Sequence, residues 1–160
     1  MALTRIIFGN LFGRRSESGT AAIEFALFTP LLLILITGTV ELGFLMYEAM
    51  QVNNAVEAGA LYAAAKGFNT ASITSAVTNA SVLPTGLNTL TATPAPTQFC
   101  GCPTAAGVTN LGSPPCSATA CSGSPAGTYV QVNASLTHTI IIPNPWVPTT
   151  LTATAVIRTN

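Results

Sequence analysis

The segment that most restricts the fold is FALFTPLLLILITGTVELGFLMY, Phe25 to Tyr47, which carries one charged residue, Glu41. At ~1.5 Å per residue a helix of this length reaches about 34 Å, enough to cross a hydrocarbon layer. Arg14 and Arg15 stand in front of it, with Arg5 further back. The positive-inside tendency then predicts a cytoplasmic N-terminus and export of everything after Tyr47. A cleaved secretory signal would place a small-residue cut after the apolar run. Here a helical pattern continues instead.

That continuation is written in Met46, Met50, Asn53, Val56, Ala60, Ala63 and Gly67, spaced by threes and fours, with Ala49, Ala55 and Ala64 between them. Lys66 and Gly67 supply a cation for the last turn and a glycine for the cap. Counted from Thr20, the helix would measure about 70 Å, half in lipid and half outside. Pro30 removes one backbone donor and crowds the carbonyl four residues earlier, so a kink is expected near Ala26. Gly38, Gly43, Ala49 and Gly59 would admit another helix at close range. An apolar face that outlasts the membrane needs cover, from the chain's own domain or from other subunits.

Glu24 stands near the front of the span, where lipid penalises a carboxylate. A basic, polar leader, GRRSESG, ends at Gly19. A cut after Gly19 would free an α-amine on Thr20, one helical turn from Glu24. The carboxylate could then pair with that amine, in its own chain or a neighbour's, and mark the register of helices packed in lipid.

The leader RRSESG, the Gly19-Thr20 junction, AAIEF and the apolar helix after it resemble the class III signal of prepilins and pseudopilins. Over about residues 14–67 the chain is similar to the TadE-like pseudopilins of the tight-adherence (Flp/Tad) pilus. The similarity rests on Glu24 and Phe25, Pro30 within the span, VELG, and NNAVEAGALYAA. Leu61 stands where that family often has Arg. The resemblance implies cleavage after Gly19 by a prepilin peptidase, use of Glu24 in assembly, and partners among other pilins or pseudopilins and the Tad assembly platform. It also implies a minor role, because the major Flp pilins are far shorter. The organisation expected is a leader over 1–19, a long helix over 20–67 that spans at about 23–47 and is exported at about 48–67, and an exported α+β domain over 68–160. The site would be the cytoplasmic (inner) membrane of a bacterium, crossed once, with the exported domain periplasmic or extracellular.

In the exported half, Asn69 or Thr70 can cap a short helix with Ile73, Ala76, Val77 and Ala80 on one face, stopped by Pro84 and Gly86. LNTLTATP alternates weakly through Leu90 and Ala92. TYVQVNASLTHTIII alternates strongly, with Val130, Val132, Ala134 and Leu136 facing one way. TLTATAVIRT repeats the rule with Leu151, Ala153, Ala155 and Ile157. One-sided strands imply an antiparallel sheet packed on a helix, and the helix ending at Lys66 is the obvious cover. The fold class is therefore α+β and pilin-like: a long N-terminal transmembrane helix, a short helix and a small antiparallel sheet with a cysteine-containing loop. Trp146, in PNPWVP, is expected to cap the sheet end.

Cys100, Cys102, Cys116 and Cys121 fall in one window. Cys-x-Cys is too tight for a usual zinc site and no histidine is close, so disulfides are the expected state in an exported Gly/Pro-rich stretch. Excluding the awkward Cys100–Cys102 bond leaves a nested set (Cys100–Cys121, Cys102–Cys116) or a crossed one (Cys100–Cys116, Cys102–Cys121). The nested set is preferred, as in a hairpin.

Composition narrows the functions. All five acids, Glu17, Glu24, Glu41, Glu48 and Glu57, lie at or before residue 57, and Gly67 to Ile157 contains no Lys, Arg, Asp or Glu. A formal net charge of +0 offers no basic surface for nucleic acid. His138 is the sole histidine, on the apolar parity of its strand, and is expected to be structural. With no Asp anywhere, neither a Ser-His-Asp set nor paired exported carboxylates exist, and no cofactor, metal site or enzyme activity is expected. Three readings remain: an assembly protein of a Tad-type pilus used for adherence, a single-pass anchored envelope protein with an exported binding domain, or a thiol-dependent redox or metal module using the cysteine window.

Overall fold

The computed structural model describes residues 16–81, 89–116, 121, 125–140 and 147–159. The chain divides into two compact units, Met1–Leu42 and Gly43–Asn160. The expected Trp146 cap and the stops at Pro84 and Gly86 lie outside the described residues.

Helix α1 spans Ser16–Lys66 and passes through Pro30 without a break in its assignment. It starts before Thr20, because nothing in Ser16–Ser18 opposes helix formation, so the Gly19-Thr20 peptide lies within its first turns. It stops where expected. Gly67 takes φ +82, a region that costs a Cβ-bearing residue, and its N–H bonds the Ala63 carbonyl at 2.9 Å. Helix α2 follows at once, Thr70–Asn79, with Asn69 as N-cap accepting from Ser72 N at 2.9 Å. Ile73 and Val77, one turn apart, are its buried residues.

Among the described residues the sheet has five strands: β1 (Leu90–Thr91), β2 (Thr97–Thr104), β3 (Gly107–Gly112), β4 (Gly127–Thr137) and β5 (Thr150–Thr159). All pairings are antiparallel. β4 is the hub. It pairs with β1 near Leu136, with β2 over Thr128–Gln131, and with β5 along its whole length, from Thr128↔Thr159 to Thr137↔Thr150. The hub position explains why β4 is buried on both faces. Val130, Val132, Ala134 and Leu136 are fully buried on one side, as their alternation predicts. On the other side Tyr129 stacks on Phe99, centroids 5.9 Å apart. There too Asn133 accepts from Gln131 Nε2 and Thr154 Oγ1 and donates to the Pro94 carbonyl.

The sheet is larger than the sequence reading made it. Cys100 and Cys102 lie in strand β2, which with β3 forms a hairpin closed by the Thr104–Gly107 pair. The apolar core joins Val52, Ala55, Val56, Ala60 and Ala63 of α1 to Ile73 and Val77 of α2 and to the inner residues of β4, with Leu151, Ala153, Ala155 and Ile157 of β5 packed against it. Helix α1 does cover the sheet, but with a face rotated from the expected one. Val56, Ala60 and Ala63 are buried as read, whereas Met46, Met50 and Asn53 are exposed. The row that faces inward is Glu48, Val52, Ala55, Gly59 and Ala63. Close approach selects it: a Cβ on Gly59 would lie 2.5 Å from Val77 Cγ2 and 3.0 Å from Val132 Cγ1, so long methionines cannot occupy that side.

Candidate functional site

Within the first unit, α1 exposes apolar side chains in every direction. Ile23, Phe25, Leu27 and Phe28 are each about two-thirds or more exposed, and Leu31 through Ile36 are more than half exposed. A helix that is apolar all round belongs in a large core or in lipid. Nothing in the most apolar stretch of Gly19–Lys66 is buried by protein, and the helix is long and apolar enough to cross a membrane. Its hydroxyls are satisfied internally: Thr29, Thr37 and Thr39 donate to the carbonyls of Phe25, Leu33 and Leu35 at 2.6, 2.7 and 2.7 Å. That is what a polar group needs where no water can reach it.

Gly19, Thr20, Glu24 and Phe25 all lie on the opening turns of this helix and are exposed. Thr20 and Glu24 are one turn apart, hence on one face. A Cβ at Gly19, Gly38 or Gly43 would meet nothing within 4 Å, leaving those surfaces open to a neighbour, whereas Gly59 is used inside the domain against α2 and β4.

The cysteines form the second group, and their pairing corrects the nested expectation. The bonds are Cys100–Cys116 and Cys102–Cys121, a crossed set. The hairpin is the reason. β3 runs back along β2 so that Gly112, its last residue, lies opposite Cys100, while Cys102 lies opposite Thr109. Leaving the end of β3, the chain meets Cys100 first. Cys116 docks there, its sulfur near Thr128 Oγ1 at 3.5 Å, and Cys121 continues to Cys102, its sulfur near the Gly101 carbonyl at 3.9 Å. Among the described residues no cluster of three or more His, Cys, Asp or Glu could hold a metal ion.

The feature that sequence reasoning missed joins α1 to the end of β4. His138 Nδ1 lies 2.6 Å from Glu48 Oε2, and both side chains are buried. With Glu48 ionised, Nδ1 carries the proton and donates. His138 N also bonds the Thr149 carbonyl at 2.9 Å, which extends the β4–β5 ladder one step and holds the imidazole in place. The signal was present: Glu48 is four residues before Val52 on the inner row, and His138 keeps the parity of Leu136.

These observations define a class: an α+β protein with a candidate membrane-spanning N-terminal helix and a sheet domain stapled by two disulfides. More particularly, residues 19–61, about a quarter of the chain, match the family model described as TadE-like protein. No curated protein and no solved structure matches the chain.

Proposed function

We propose that the chain is a minor pilin or pseudopilin that takes part in assembling a Tad/Flp-type pilus for surface adherence. The observation that carries this reading is the TadE-like match over residues 19–61, which opens at Gly19, the residue before the proposed cut. In this reading residues 1–19 are a leader removed by a prepilin peptidase. Residues 20–67 form the assembly helix, crossing the inner membrane at about 23–47 with its N-terminus cytoplasmic, and residues 68–160 are the exported domain. Other pilins or pseudopilins and the Tad platform are its partners.

Glu24 is the chemical centre. On an exposed apolar helix its carboxylate meets lipid unless a cation is brought to it, and the Thr20 α-amine released by processing is such a cation. A neighbouring helix arriving in register supplies that amine; one out of register leaves both charges in hydrocarbon. The decisive experiment combines mass measurement of the mature N-terminus with counts of surface fibres in a Glu24→Ala strain. A mature chain starting at Thr20, with fibres lost although Glu24→Ala protein still inserts, supports the proposal. A retained leader together with undiminished fibres in Glu24→Ala overturns it and leaves a simple anchored protein.

A further inference from the structure

The sheet ends in two edges that are built differently. On one side β3 is short, Gly107–Gly112, and the ladder opposite it shifts register between Cys100 and Gly101. Short length and an irregular ladder are the usual ways of making an edge unattractive to another strand. On the other side β5 runs for 10 residues in unbroken register, contains no proline, and bears one charge, Arg158. Among the described residues no strand pairs with its outer edge.

The ladder tells which backbone groups face outward. His138 and Thr149 are opposite each other and share a hydrogen bond, so their pair is of the hydrogen-bonded kind. Hydrogen-bonded pairs recur at every second residue, so Leu151, Ala153, Ala155, Ile157 and Thr159 address β4. The N–H and C=O groups of Thr152, Thr154, Val156 and Arg158 therefore point away from the sheet. Beside this edge lies a groove of about 360 Å³ between β5 residues 154–157 and α1, where Asn53, Glu57 and Leu61 line the helical wall. Leu61 is 59% exposed, and Glu57 has no ion-pair partner among the described residues.

We propose that β5 and this groove form a strand-accepting site for an extended segment of a different polypeptide. The segment adds its backbone to the outer edge of β5. On the face turned toward α1 it carries an apolar side chain for Leu61 and, two residues away, a Lys or Arg for Glu57. A second copy of β5 is a poor occupant. Antiparallel edge pairing would relate the two chains by an axis normal to the sheet, turning one α1 end for end. Two such helices could not enter one bilayer from the same side.

The test uses the full chain in detergent micelles, residue-resolved amide exchange, and the blocked peptide Thr-Val-Thr-Lys-Thr-Val as probe. In the free chain, Ala153 and Ala155 amides exchange slowly and Thr152, Thr154 and Val156 amides quickly. Adding the peptide slows the outward set at least tenfold. Thr154→Pro, which removes an amide the ladder does not use, retains the far-UV spectrum and abolishes that slowing. Glu57→Gln, or Glu in place of Lys in the peptide, weakens binding about threefold. Should Thr154→Pro fail to fold, the free-chain exchange pattern and Glu57→Gln still decide. The proposal is overturned if the outward amides are already protected in the dilute free chain, if their protection grows with protein concentration alone, or if millimolar peptide leaves them unprotected.

Discussion

Helix α1 is one continuous element whose two halves carry different side chains. In the unit ending at Leu42, bulky side chains such as Phe25, Leu27 and Leu35 stand exposed on every side, and a Cβ at Gly38 would meet nothing within 4 Å. In the unit beginning at Gly43, the inward row is Glu48, Val52, Ala55, Gly59 and Ala63, and each is buried. Large residues dominate the exposed half. Small residues serve where a second helix and a sheet must come close. Two of the carboxylates differ likewise: Glu24 is exposed on the helix, whereas Glu48 is buried with an imidazole 2.6 Å away.

Substitutions that treat both halves alike should therefore give unlike results. The largest contrast is expected from His138→Leu, which takes the imidazole away from the buried Glu48 carboxylate and should destabilise the sheet domain by about 3–5 kcal/mol. Adding Glu48→Leu removes the buried carboxylate as well and should recover most of that loss. Chemical denaturation of the full chain in detergent, followed by near-UV circular dichroism, measures both, and Glu24→Leu should leave the same midpoint unmoved. Next comes the crossed disulfide pair. Cys102→Ser with Cys121→Ser should cost about 2–4 kcal/mol and speed amide exchange across β2 and β3 more than in β5. A Gly59→Val change forces side-chain branches into Val77 and Val132 and should cost about 1–3 kcal/mol, while Gly38→Val should cost almost nothing. Asn69→Ala, which removes the α2 cap, should cost about 1 kcal/mol and fray only that helix.

The halves also differed in how far they could be read without coordinates. The candidate span was legible because length and unbroken apolarity are properties of a single segment. β4 and β5 were legible because one face of each is buried, which forces the alternation at Val130 through Leu136 and at Leu151 through Ile157. The inner face of α1 beyond the apolar stretch was read only in part, because Ala and Gly lie on every side of that part of the helix. What decides is the approach of Val77 and Val132 at Gly59, a contact between residues distant in sequence. β2 and β3 were hidden for a related reason. Their burial is irregular, β3 is almost wholly exposed, and two covalent bridges stand in for the apolar faces that announce a strand. The Glu48–His138 pair needed both failures corrected at once, since one partner lies on the misjudged face and the other just past a strand end.

The absence of Lys, Arg, Asp and Glu between Gly67 and Ile157 has an ecological reach. Charged surfaces weaken or tighten their contacts as dissolved ions come and go, because counterions shield them over about 8–10 Å at ordinary concentrations. A coat of hydroxyls, amides and main-chain groups offers ions almost nothing to shield. Whatever this domain touches through that coat, it should hold as firmly in brackish water as in rain.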